Sequence, residues 1–231
     1  ASQAPGAISV TYNGSYSQNF DTLASSGTAN TALPTDWAFS EIGTGANTTY
    51  AADTGALTTG NTYSYGGTGS GERALGGLQS NAVAPTFGAV FKNDITGGTT
   101  IDLTLSYTGE QWRLGATGRV DRLDFQYSTN ATSLTTGTWT DVNALDFTAP
   151  VTTGTVGALN GNLTANRVSI SSTFTMTIAE GANFWIRWND FNPTGSDDGL
   201  AIDDLSITAV PEPSAALLGG LGLLGLLRRR R

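Results

Sequence analysis

Five aspartates crowd the stretch ahead of the tail: Asp190, Asp197, Asp198, Asp203 and Asp204 fall within fifteen residues. Asn189, Asn192, Gly195 and Gly199, interspersed among them, supply turns and carbonyl oxygens. Oxygen donors of this kind suit a hard cation such as Ca2+, which takes six to eight ligands from more than one segment. The spacing is not that of an EF-hand loop, so no sequence-local cage is expected. The plain alternative is a solvated acidic loop whose aspartates cap turns. The chain has neither cysteine nor histidine. Zinc sites, disulfides, thiol nucleophiles and a Ser-His-Asp triad are therefore excluded, and acid–base work would fall to Asp, Glu, Tyr or Lys.

Two other chemistries have candidate residues. Sugar rings stack on exposed aromatic faces, and the chain holds Trp37, Trp112, Trp139, Trp185 and Trp188, with Tyr50, Tyr63 and Tyr65 in Gly/Thr-rich surroundings. Trp185, Tyr65 and Arg187 are the expected ligand-binding residues, although most such rings serve as core. Glycoside hydrolysis needs two carboxylates about 5–9 Å apart. Before the tail there are only Glu41, Glu72, Glu110 and Glu180, each in a different segment. Glu110, beside Trp112 and Arg113, reads better as a structural ion pair with Arg113 or Arg73 than as a catalyst. No catalytic residue is expected.

The elements that must position these residues are strands. Ile101, Leu103, Leu105 and Tyr107 alternate with polar residues, as do Leu123, Phe125 and Tyr127. The pattern recurs at Phe174, Met176 and Ile178, and again at Phe184, Ile186 and Trp188. Period-2 alternation separated by Gly, Asn and Thr clusters predicts an all-β, two-sheet antiparallel sandwich. Ile8 to Tyr12 opens it, and Leu205 with Ile207 closes it. Alternation puts Trp188 on the core side and Trp185 on the opposite face beside Arg187. Leu200 and Ile202 occupy even positions whereas Leu205 and Ile207 are odd, which predicts a β-bulge at Asp203-Asp204. Before the tail, 18 acids face 7 bases. Such a surface repels nucleic acid, and no nucleic-acid partner is expected.

The start, Ala1-Ser2-Gln3-Ala4, reads as what remains after a secretory signal is removed. At the other end, Pro211-Glu212-Pro213 precedes an apolar run from Ala215 to Leu227 and then Arg228, Arg229, Arg230 and Arg231. Thirteen helical residues span about 20 Å against a hydrocarbon core of about 30 Å, which suits a transient membrane anchor. The arginines would remain on the cytoplasmic side. This layout resembles the PEP-CTERM sorting signal of Gram-negative, exopolysaccharide-producing bacteria. The resemblance implies recognition and cleavage by an exosortase-type membrane protease, with delivery to the cell surface or extracellular matrix.

Tyr107-Thr108-Gly109-Glu110-Gln111-Trp112-Arg113 and Phe184-Trp185-Ile186-Arg187-Trp188-Asn189-Asp190, running on to Asp203-Asp204, resemble secreted bacterial jelly-roll domains. More distantly, Phe20-Asp21 with Leu33-Pro34-Thr35-Asp36-Trp37 and the closing Ile202-Asp203-Asp204 resembles cleaved-adhesin and MAM-like jelly rolls. The family's usual Gly-Trp is absent here. The resemblance implies that the opening and closing strands pair, bringing Asp21 towards Asp203. On that basis Asp21, Asp190, Asp197, Asp198, Asp203 and Asp204 form one expected structural Ca2+ set. The expected organisation is a jelly-roll sandwich over residues 1–208 and a sorting signal over 209–231, the latter containing a short apolar helix. The expected function is non-catalytic: adhesion or polysaccharide binding at the cell surface, with self-assembly into a matrix as the alternative and a glycan hydrolase further off.

Overall fold

The computed structural model describes residues 6–12 and 14–210; the expected sorting-signal residues from Pro211 to Arg231 lie outside them. In chain order the strands are β1 (Ile8–Val10), β2 (Ser15–Gln18), β3 (Trp37–Ile42), β4 (Ala51–Asp53), β5 (Asn61–Tyr65), β6 (Ala74–Leu78), β7 (Ala84–Asn93), β8 (Thr100–Leu114), β9 (Arg122–Ser128) and β10 (Thr140–Asp141). They continue with β11 (Phe147–Thr148), β12 (Gly157–Ala158), β13 (Arg167–Thr177), β14 (Asn183–Asp190) and β15 (Gly199–Val210). One sheet runs β1-β7-β14-β9-β10, with β3 also on β7 and β11 on β9. The other runs β12-β8-β15-β6-β5-β4, with β13 on β8 and β2 on β15. The long strands β7, β8, β9, β13, β14 and β15 alternate between the sheets, which is the winding of a jelly-roll-like sandwich.

Pairing is antiparallel except at two short edges, where β1 lies parallel to β7 and β4 parallel to β5.

Alternation does what the sequence predicts. Leu103, Leu105 and Tyr107 on β8 meet Phe125, Phe184, Ile186 and Trp188 from the facing sheet in one apolar core. Trp188 is its centre: Trp37 and Phe87 stack on it at 6.2 and 6.1 Å, while Tyr107 and Phe125 meet it edge-on at 5.3 and 5.2 Å. Aromatic pairs in these arrangements add to the gain from burial itself.

β15 slips register against β8 between Asp203 and Ser206, and Asp204 takes a left-handed backbone with φ of 48°. The predicted bulge is therefore present, and it has a topological reason. Upstream of it β15 pairs with β6 (Gly199 to Ile202), and downstream with β2 (Leu205 to Thr208). The expected opening strand, β1, pairs with β7 in the other sheet. It is β2 that lies beside the closing strand, with one isolated bridge from Tyr12 to Ala209.

A second, smaller core lies on the outer face of the β8–β15–β6–β5 sheet. It contains Tyr63, Tyr65, Leu78, Trp112 and Ala201. Tyr65 and Trp112 stack in parallel at 5.9 Å. A Cβ at Gly161 would collide with the Trp112 indole nitrogen, so glycine there lets the loop after β12 close over this face.

Candidate functional site

Register places Glu110 of β8 opposite Ala201 of β15, two residues before Asp203. Both carboxylates stand on the sheet's outer face, and Glu72, just before β6, completes the group. One oxygen from each of Glu72, Glu110 and Asp203 lies within 4.8 Å of the others. Asp21, which follows β2, and Asp204 line the same open cleft of about 420 Å3, together with Asn19, Asn162, Arg167 and Asp203. Asp21 is held by its neighbours: Arg73 N–H donates to it at 3.2 Å and Asn19 Nδ2 at 2.6 Å.

The electrostatics are unbalanced. Asp203 is 5% exposed, and its Oδ1 is buried without a hydrogen-bond partner. Burial first, and then Asp204, Glu110 and Glu72, push its pKa far above the carboxylate range. Burial raises Glu110 to about 7, against the hydrogen bond from Trp112 Nε1 at 2.9 Å. Glu110 thus takes neither Arg113 nor Arg73, the expected partners. Arg113 donates to the Gly55 carbonyl, and Arg73 to the Ser64 hydroxyl and carbonyl. Asn162 donates to Glu72. Two of the three non-glycine residues with positive φ among the described residues, Phe20 and Asp204, flank this cleft. Converging carboxylates on a strained backbone are a cation-binding or proton-sharing arrangement.

The expected single aspartate set divides into two. Asp21, Asp203 and Asp204 gather at the bulge with Glu72 and Glu110. Asp190, Asp197 and Asp198 lie at the other end of β15, around Asp121. Five extended residues separate Asp198 from Asp203, or about 17 Å. One ion cannot serve both. Glu72 and Glu110 carried no local signal as ligands, because only the strand order brings them to Asp203.

The expected aromatic platform is corrected by burial. Tyr65 lies on β5 within the second core, 1% exposed. Trp185 does face away from Trp188, but a loop covers it: with Val90, Ala131 and Leu134 it forms a third cluster, leaving it 5% exposed. Arg187 alone of the three expected binding residues is partly exposed. Its guanidinium sits 3.8 Å over the half-exposed Trp139 ring and donates to Gln126 at 2.7 Å and the Leu134 carbonyl at 2.5 Å. Beside it Gln126 donates to Asp141.

Residues 209–231 match the model for the PEP-CTERM protein-sorting motif. The chain is thus an exported protein sorted to the cell envelope or surface, and the motif implies processing by an exosortase. No curated protein matches the chain. Among solved structures it is similar to the K2 cleaved adhesin domain of Lys-gingipain, at 14% identity and TM-score 0.41, over 85% of this chain and 98% of that one. The K3 domain from Porphyromonas gingivalis aligns at 12% identity and TM-score 0.40, over 76% of this chain and 93% of that one. The CBM22-1 xylan-binding domain of Xyn10C from Paenibacillus barcinonensis aligns at 10% identity and TM-score 0.36, over 90% and 99%.

Proposed function

We propose that this chain is a non-catalytic cell-surface or matrix protein whose sandwich is clamped by Ca2+ at the β15 bulge, serving adhesion or polysaccharide binding. The observation that carries the clamp is the convergence of Glu72, Glu110 and Asp203 within 4.8 Å, with Asp203 Oδ1 buried and unpartnered. Calcium would complete the oxygen shell and neutralise the cleft, with Asp21 and Asp204 in reach of its rim. Glu110 is 1% exposed and does not line the open cleft, which disfavours a role on a bulky glycan. The face around Arg187, Trp139, Gln126 and Asp141 is the ligand surface this reading favours, because it offers a ring edge and hydrogen-bonding groups to solvent.

Thermal unfolding of the full chain in calcium and then in chelator tests the clamp. A ligand of the native state at about 100 times its Kd adds about 2.7 kcal/mol, roughly 5–10 °C for a domain of this size. Asp203→Asn should lose the part of that shift that the bulge site contributes. No calcium shift in the wild type would remove the clamp. Glycan-array binding lost in Arg187→Ala with the fold intact would support the ligand face, and unchanged binding would remove it.

One observation favours self-assembly as a second reading. β13 is an 11-residue strand that, among the described residues, pairs only with β8, and no charged side chain occurs from Val168 to Thr177. Such an edge is open to pairing with another copy. Association that rises with protein concentration, without glycan, would favour it.

A further inference from the structure

We infer that a second cation site, separate from the one at the bulge, closes the far end of the sandwich interior, built on Asp190, Asp197 and the side-chain carbonyl of Gln79 and taking a hard divalent cation such as calcium.

Asp190 ends β14 on the side of Phe184, Ile186 and Trp188, so it continues the core face into a polar plug between the sheets. Four aspartates meet there, and two of them are fully engaged. Asp121 accepts from Arg122 N–H at 2.8 Å, Asp198 N–H at 2.7 Å and Arg119 Nη1 at 3.0 Å. Asp198 accepts from Gly115 N–H at 2.7 Å, Gln111 Nε2 at 2.8 Å and Arg119 Nη2 at 3.4 Å. These contacts use both terminal nitrogens of Arg119.

The other two are not engaged. Both oxygens of Asp190 and Oδ1 of Asp197 are buried without a hydrogen-bond partner, and so is Oε1 of Gln79. Buried polar atoms are almost always paired, so four orphan acceptors in one plug need an explanation. A proton on Asp190 would account for part of it. Burial, then Asp121, Asp197 and Asp198, do hold that carboxyl well above its usual range. A proton does nothing for Gln79, whose amide oxygen is an independent sign. Gln79 is only 8% exposed, and it lines the same cavity of about 260 Å3 as Asp197.

Four carboxylates face the plug, against Arg119 within it and Arg113 on the cavity wall. Arg113 donates its Nη1 to the Gly55 and Ala56 carbonyls. Arg119 Nε is a buried donor without a partner as well. The orphans of Gln79, Asp190 and Asp197, however, are all acceptor oxygens, which is the ligand chemistry of Ca2+, with water filling the remaining positions. A Cβ at Gly115 would collide with the Ser196 and Asp197 carbonyls, so the glycine admits the loop that carries Asp197.

Calcium titration of the full chain by calorimetry tests this, with the metal alone as probe. Wild type should take two ions per chain, Asp190→Asn and Asp197→Asn one each, Asp203→Asn one, and the Asp190→Asn/Asp203→Asn double variant none. A single ion lost in Asp203→Asn and kept in Asp190→Asn would overturn the second site and leave the bulge site standing. A single ion with the opposite pattern would support the second site and remove the first, and no binding at all would overturn both. Melting in chelator guards against misfolding. Removing an unpaired buried charge leaves Asp190→Asn as stable as wild type or more so. A melting temperature several degrees lower in chelator would mean that Asp190 serves the core, against the proposal.

Discussion

Trp185 and Trp188 stand three residues apart on β14 and face opposite ways. Trp188 centres the main core, while Trp185 anchors the loop between β9 and β10, which Arg187 also pins through the Leu134 carbonyl. Trp185→Ala should therefore cost about 3 kcal/mol, the usual range for emptying a buried aromatic site, read as a lower denaturant midpoint at unchanged slope. Alternation alone places Trp185 on the outer face. Its burial was not legible, because a strand pattern says nothing about which loop folds back over it. Tyr65 has the same history: the loop after β12, tied by Leu159 N–H to the Trp112 carbonyl at 2.7 Å, covers what a solvent-facing strand would expose. Gly161→Ala should push that loop off Trp112, break its hydrogen bond to Glu110, and lower calcium affinity along with stability, measurable by titration and melting of the same variant.

At the scale of elements, two features of β15 and β13 decide behaviour. The bulge was legible because Leu200 and Ile202 differ in parity from Leu205 and Ile207, and one extra residue is the only way to keep all four inside. Deleting Asp204 should put Leu200, Ile202, Leu205 and Ile207 in one regular alternation and remove the bulge. Circular dichroism should then still report cooperative unfolding, while the calcium-dependent shift in melting temperature shrinks. The partners of Asp203 were not legible. Glu110 lies 93 positions upstream, and it meets Asp203 only through a sheet order that no local pattern encodes. Asp21 was foreseen because resemblance, not periodicity, suggested that the end strands pair. On β13, Ser171 is exposed mid-strand. Ser171→Lys should abolish concentration-dependent association in sedimentation velocity if that edge pairs copies, while leaving the melting temperature within about 1 °C, as for surface changes generally.

At the scale of the whole molecule, two clusters of buried carboxylates set the response to pH. Burial, ahead of all other causes, raises Glu110 and Asp197 to about 7 and Asp198 to about 6, from ordinary values near 4. The folded chain therefore binds more protons than the unfolded one across that window, so in chelator its stability falls as pH rises from about 4 through 7. Calcium competes for the same oxygens, so the gap between melting temperatures with calcium and with chelator should widen over that window. A gap that narrows would count against metal at either cluster. β15 also links these sites to the motif that begins at residue 209. It pairs with β8 along its length, and its other edge pairs first with β6 and then with β2. Tension applied at Val210 would run along the strand, across the hydrogen bonds of both flanking ladders at once. They would have to break together in shear instead of unzipping one by one, so a tether drawn out through the C-terminal end of β15 would meet the sandwich in its mechanically strongest direction.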